Sequence, residues 1–246
     1  MTLKTSQHYH ILDDLRGVAA IIVVFYHIFE GFSFAEITNN AGDGMIKVFN
    51  HGYLAVDFFF LLSGFVLNHA YANRWNEMSI TTFFKRRLIR LHPMLIIGSL
   101  LGLISFLIGG SQQWNGTTIP FYITIITFLL TCLMIPALPN SFNEVRGNGE
   151  LFPLNGPTWS LFFEYIGNIL YALLIRLGTK ALSFLVFVLA ILHSIFSIGN
   201  FSTYGSIGVG WTFDNINFFG GMLRMLFPFT LGMLLSRKLK TINLPY

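Results

Sequence analysis

Apolar residues in this chain come in long blocks separated by short polar stretches. Seven such segments stand out, at 11–32, 54–71, 94–109, 119–137, 158–175, 181–198 and 217–235. Each is near the ~20 residues a helix needs to cross a bilayer. The pattern predicts an all-α fold, a polytopic transmembrane helix bundle forming a single domain over residues 1–246. It contains no internal repeat, low-complexity tract or soluble domain. The stretch MTLKTSQHYHILDD carries two acids and two histidines before the first apolar run, unlike a cleavable signal, so the first helix is expected to remain as a span.

The polar stretches set an expected topology. Residues 72–93 hold Arg74, Lys85, Arg86, Arg87 and Arg90 against Glu77, which reads as a cytoplasmic loop and puts the N-terminus in the cytoplasm. Strict alternation of seven spans then conflicts with the charges. It would send Arg176, Lys180, Arg237, Lys238 and Lys240 outward and the glycine-rich stretch 199–216 inward. A re-entrant or shallow segment 119–137, flanked by Pro120 and Pro136 and with threonines at 118, 124, 127 and 131, would remove the conflict. Seven ordinary spans with an imperfect charge bias is the alternative.

Composition supports the membrane assignment. Of 246 residues, 54% are hydrophobic and 11% charged, where soluble domains carry about a quarter charged residues. The mean hydropathy is +0.64. Net charge is +4, but the basic residues cluster between apolar segments, which points to membrane topology and an anionic ligand rather than to nucleic acid. Cys132 stands alone in an apolar run, so no disulfide or thiolate metal site is expected. His8-Tyr9-His10 is a weak metal pattern, and no metal centre is expected.

Ionisable residues inside membrane-length segments are costly and point to function. Arg16 and His27 lie eleven positions apart in one apolar segment. That spacing returns to within about 20° of the same helix face, with an axial offset of roughly 16 Å. A neutral imidazole looking into a bundle or wet cavity is a candidate general base, with Glu30 at i+3 to orient it; a satisfied core histidine is the alternative. Asp13 and Arg16 can pair at the helix start, which an interfacial anchor explains equally well. Asp57 heads an apolar helix, as a cap or as part of a site. Ser63-Gly64 is a small step suited to close helix packing. Arg87 and Arg90 share a helix face and form a natural phosphate clamp, or a positive-inside stop signal. Glu164 lies inside an apolar helix and calls for a partner such as Arg16 or Arg224. Trp159, with Ser160 at the same helix start, reads first as a membrane-interface belt residue.

Four motifs now line up in order. LDDLRGVAAIIVVFYH, VDFFFLLSGFVL, RRLIRLHP and WSLFFEY resemble the successive motifs of the membrane-bound acyltransferase-3 family of O-acyltransferases, and GGMLRMLFPFTLG resembles a later helix of that family. The resemblance covers essentially the whole chain. It implies that His27 is the catalytic base and Arg16 the family's first-helix arginine, that Arg87 and Arg90 handle acyl-CoA, and that Trp159, Ser160 and Glu164 belong to the site. It further implies no permanently bound cofactor, with acyl-CoA as donor substrate and a carbohydrate or lipid-linked glycan of the cell envelope as acceptor. The acyl group is expected to be acetyl. Asp57 or Glu164 would orient the reacting groups, and Ser63 would line the substrate path. The expected location is the bacterial inner membrane. Family members carry about ten spans and this chain at most seven, so the resemblance implies a natural short form, a fragment or a frameshifted product, and leaves room for a partner chain or a homo-oligomer. Two other classes stay open: a proton-coupled transporter using His27, Glu164 and Arg224, and a truncated, non-catalytic derivative.

Overall fold

The computed structural model describes residues 10–34 and 51–239; the side chains of residues 10, 11, 13, 29–34 and 204 are outside the described set. Asp13 and Glu30 therefore lie outside the described residues as far as their contacts are concerned, as does the His8 half of the His8–His10 pair.

Seven α-helices are described, and no strand. They are α1 (His10–Phe34), α2 (Leu54–Tyr71), α3 (Ile80–Ile108), α4 (Phe121–Cys132), α5 (Thr158–Leu174), α6 (Thr179–Tyr204) and α7 (Asn215–Leu239), with a 3-10 turn, Ala72–Glu77, after α2. Among the described residues, four helices are long and apolar enough to cross a membrane: α2 with its 3-10 extension, α3, α6 and α7. Two of the apolar segments differ from expectation in extent. The basic stretch after residue 79 is no loop but the first third of α3. There the Ser79 side chain caps the helix by accepting from the Thr82 N–H at 3.2 Å, and the helix continues through Pro93. The fourth segment shrinks to the twelve residues of α4. At ~1.5 Å per residue these span about 18 Å, well short of the ~30 Å hydrocarbon core.

Side-chain pairings fix the direction of each helix. Arg87 bonds Asn168 and Glu164, His92 Nδ1 lies 3.2 Å from the Tyr165 hydroxyl, and further along α3 a β-carbon on Gly98 or Gly102 would meet Asn155 or Leu154 just before α5, so α3 and α5 run antiparallel. Tyr26 meets Tyr53 edge-on at 5.9 Å, so the far end of α1 lies beside the start of α2. Asp57 bonds Arg224 and Asn68 bonds Ser236, so α2 and α7 run parallel. With α3 ending and α5 beginning at the same end of the bundle, α4 and its flanking loops must leave and return on one side. This is the non-crossing arrangement that removes the conflict in the loop charges, not the alternative of seven ordinary spans. The three buried threonines of α4 lie on one face. Thr127 and Thr131 turn their hydroxyls back to carbonyls one turn earlier, each at 2.9 Å, so they satisfy themselves without water.

The charges now sort by end. Arg74, Lys85, Arg86, Arg176, Lys180, Arg237 and Lys238 lie at or near one end, against Glu77. The opposite end, built by 109–120, 133–157 and 205–214, carries Glu144, Glu150 and Asp214 against Arg146.

The core centres on α7, whose buried residues run from Gly220 to Ser236. Helix α2 lies so close to it that a β-carbon on Gly64 would be driven into the Phe229 carbonyl, and one on Gly232 into the Leu61 carbonyl. Small residues let backbones approach where hydrophobic exclusion supplies no force between helices.

Two outcomes follow. Replacing Gly232 by Ala should lower the thermal midpoint in detergent, with an overpacking cost of about 1–3 kcal/mol. Gly17→Ala, where a β-carbon meets nothing within 4 Å, should leave it unchanged or slightly raised. In a Cys132→Ala background, Asn115→Cys and Phe142→Cys should react with an impermeant maleimide from the same side of the membrane, and Asn73→Cys from the other. Opposite labelling of positions 115 and 142 would mean that α4 crosses.

Candidate functional site

Four helices enclose a cavity of about 300 Å³. Helix α1 contributes Arg16 and Val23, α2 the stretch around Phe59, Phe60 and Ser63, α3 Arg87, Arg90 and Leu91, and α5 Ser160, Leu161 and Glu164. Residues from four separate regions of the sequence thus meet at one place. The cavity is chemically two-sided. Its end nearest the basic face carries three guanidinium-bearing residues and one carboxylate, and its remaining wall is mostly Val, Phe and Leu.

The polar groups are tied together by short bonds. Arg87 is buried, and its NH2 group donates to Glu164 Oε1 at 2.8 Å. Its Nε donates to Asn168 Oδ1 at 2.7 Å, while Asn168 Nδ2 returns a bond to the Glu164 carbonyl at 2.9 Å. The Ser63 hydroxyl donates to the same Glu164 oxygen at 3.0 Å. Glu164 therefore has its partner, and it is Arg87, not Arg16 or Arg224. The second carboxylate oxygen, Oε2, accepts no hydrogen bond from a described residue. Asn168 was not picked out by sequence reasoning. Its i+4 spacing from Glu164 on one helix face was the available signal. Ser160 lines the cavity while its hydroxyl donates to the Pro157 carbonyl at 3.0 Å, a helix-start bond. Arg90 lines the cavity and is exposed.

His27 sits elsewhere. It lies on α1 beyond Val23, is exposed, and is not among the residues lining the cavity. The bundle or wet cavity expected around it is not the cavity lined by Arg16, Arg87 and Arg90. Among the described residues α1 packs chiefly against α2.

A second ionic centre takes Asp57 away from the cavity. Arg224 is fully buried and spends its guanidinium on three acceptors: Asp57 Oδ1 at 2.9 Å, the Val209 carbonyl at 2.7 Å and the Tyr53 carbonyl at 2.7 Å. The Tyr53 and Trp159 rings each lie 5.4 Å from its central carbon. Trp159 is thus a buried cation–π partner rather than a belt residue at the membrane edge. It also meets Phe60 and Phe163 at ring distances of 6.5 and 6.0 Å. This centre joins the start of α2, the loop 205–214 and α7.

Breaking a buried pair from one side costs more than removing both members. Arg224→Leu, which leaves Asp57 buried without its cation, should destabilise by about 3–5 kcal/mol, read as a fall in folded yield and thermal midpoint. Adding Asp57→Leu should recover only part of that loss, because the Val209 and Tyr53 carbonyls stay without a donor. Full recovery in the double variant would show that those two bonds contribute nothing.

Comparison with known proteins yields two kinds of match. The family described as an acyltransferase domain, acyltransferase type 3, matches residues 9–244. Protein 2 in the picA locus of Rhizobium radiobacter is 34% identical over 189 residues, covering 74% of this chain and 88% of that protein. Acyltransferase MdmB of Streptomyces mycarofaciens is 30% identical over 175 residues, covering 69% of this chain and 40% of MdmB. No solved structure matches.

Proposed function

The chain belongs to the acyltransferase-3 family of membrane acyltransferases, and from that premise we propose that it moves an acyl group, most simply acetyl, from cytoplasmic acyl-CoA to a hydroxyl of a cell-envelope carbohydrate. The observation that carries this reading is the cavity in which Arg16, Arg87 and Arg90 meet Glu164, the one carboxylate among its described lining residues, at the basic end of the bundle.

The chemistry follows from the layout. Positive charge concentrated at one end is the mark of a cytoplasmic face, so in this reading both described ends of the chain face the cytoplasm and the loops 109–120, 133–157 and 205–214 face outward. The membrane is the bacterial inner membrane. Acyl-CoA carries phosphates, and guanidinium groups bind phosphate through planar, paired hydrogen bonds. Arg87 is already engaged by Glu164 and Asn168, so it supplies a fixed positive edge. Arg90 makes no such bonds and is the group free to close on the ligand. A cavity of this size takes the phosphate end of the donor, not the whole molecule. From Arg16 to His27 the helix rise gives roughly 16 Å, comparable to the length of a pantetheine arm laid along α1.

At the outer end His27 removes the proton from an acceptor hydroxyl, and the oxygen adds to the thioester carbonyl. The carbon–sulfur bond breaks with its electron pair going to sulfur, and the CoA thiolate takes up the proton held by the imidazolium. The exposure of His27 suits this role, because the acceptor reaches it without entering the bundle. In this reading Ser63, Ser160 and Glu164 shape the donor channel, while Asp57 and Trp159 act through Arg224 to hold α2 in place.

The test is CoA release from acetyl-CoA by the purified chain with native lipids and envelope glycans of its host. His27→Ala should lower the rate by about 10²–10⁴-fold, the usual range for a general base, with an unchanged thermal midpoint. Arg90→Ala should raise KM for acetyl-CoA about tenfold or more and leave kcat nearly unchanged, the signature of lost ground-state binding. Undiminished release in the His27 variant would remove the general-base assignment. An unchanged KM in the Arg90 variant would remove the donor-site assignment.

A further inference from the structure

A second cleft, of about 340 Å³, opens at the opposite end of the bundle from the basic face. Asn140, Glu144 and Asn148 of the loop 133–157 form one wall, and Thr212, Phe213 and Asp214 of the loop 205–214 form the other. The walls are joined by backbone pairing. The Leu151 N–H donates to the Trp211 carbonyl at 2.9 Å, and Glu150 and Thr212 form an antiparallel bridge.

Accounting for the polar atoms shows which remain for a ligand. Glu144 Oε1 accepts the N–H groups of Gly147 at 2.9 Å and Asn148 at 3.3 Å, and Oε2 accepts nothing from a described residue. Both oxygens of Asp214 are engaged. Its Oδ1 accepts the Asn217 N–H at 2.9 Å, and its Oδ2 accepts the Asn217 side-chain amide at 2.7 Å and the Thr212 hydroxyl. Asn148 is committed to Glu150, donating to Oε1 at 2.8 Å and accepting its N–H at 3.4 Å. The side-chain amide of Asn140 bonds no described group. Phe213 is 37% exposed and braced by Phe218 at 5.0 Å between ring centres, and Trp211 beside it is 40% exposed.

These leftovers select a ligand class. A calcium ion wants six to eight oxygen ligands, and one free carboxylate oxygen does not supply them. An anion meets two carboxylates and no lysine or arginine in the lining. Burial alone would push the Asp214 carboxyl up, but the bonds from Thr212 and Asn217 outweigh it and hold the group below its ordinary value, so this wall stays negative at neutral pH. A free carboxylate oxygen and a primary amide on one wall suit a ligand bearing several hydroxyls, one accepting from a hydroxyl and the other donating to one. An exposed, braced aromatic ring suits the C–H face of a sugar.

We infer that this cleft binds a neutral carbohydrate, with Glu144 and Asn140 taking hydroxyls and Phe213 packing against the ring. The inference deepens the acyl-transfer reading, on which it rests only for the carbohydrate's role as acceptor. It places a glycan-holding subsite on the end of the bundle to which His27 belongs.

The test is binding to the full chain in nanodiscs, read by tryptophan fluorescence and confirmed by calorimetry. The probes are maltose, cellobiose, lactose, methyl α-mannoside, chitobiose and L-rhamnose, with calcium chloride and glucuronic acid as controls. At least one neutral sugar should give a saturable response. Phe213→Ala should weaken it about tenfold or more. Glu144→Gln, which keeps an oxygen for the Gly147 and Asn148 N–H groups, should weaken it severalfold without lowering the thermal midpoint. No saturable response from any neutral sugar, a response unaltered in both variants, or preferential filling by calcium or glucuronic acid would overturn the inference. Titrating acetyl-CoA into the same preparations keeps the two readings apart. A response lost in Arg90→Ala but kept in Phe213→Ala supports the donor site whatever the sugars do.

Discussion

A guanidinium with no exposed surface fixes the architecture. Arg224 lies inside α7, where an unpaired cation would be prohibitively costly. It therefore dictates where its acceptors must be: the Asp57 carboxylate, the carbonyl that precedes α2, and the carbonyl of Val209 in the loop before α7. Satisfying all three holds α2 and α7 side by side and parallel, although four helices separate them in the chain. The glycines at 64 and 232 then let the two backbones close to contact distance. Helices α1, α5 and α6 pack against this pair, and α3 with α4 joins through α5.

The cation-lined cavity depends on that scaffold. Its floor is α2, and the Ser63 hydroxyl reaches Glu164 only because α2 is held against α5. The Arg87–Glu164 pair in turn ties α3 to α5. The two ionic centres have different forms for physical reasons. Arg224 meets acceptors on all sides and is sealed by aromatic rings, which makes a rigid joint. Arg87 shares its carboxylate with a serine, and that carboxylate keeps an oxygen uncommitted and a quarter of its side chain exposed, so this centre retains capacity for a ligand.

The bundle also separates two kinds of surface. Cations gather at one end and carboxylates with exposed aromatic residues at the other. Such polarity comes from α4, which dips and returns rather than crossing, so that every later helix is reversed relative to simple alternation. The helix responsible is only twelve residues long.

Much of this was legible in the sequence because membrane physics leaves few options. Seven apolar blocks gave seven helices, with α2 matching to the residue, since a polar backbone in lipid must close its bonds locally. The loop charges also carried the conflict that α4 resolves. Arg16, Arg87, Arg90, Ser63, Ser160 and Glu164 were recognisable as candidates because charge and small polar residues are expensive or unusual in such segments. Their partners were not. Pairing across helices depends on helix rotation and direction, which a one-dimensional pattern does not encode. Thus Glu164 went to Arg87 and Arg224 to Asp57, Trp159 turned inward over a cation, and Asn168 entered unnoticed as the group that orients Arg87. His27 shows the same limit: its helix face follows from the sequence, but whether that face is enclosed depends on which neighbours pack against α1. The sequence by itself determined the helices, the side on which positive charge gathers and the candidate residues. Only the tertiary structure decided which charges neutralise one another and which remain for a ligand, because that choice is made by contacts between helices far apart in the chain.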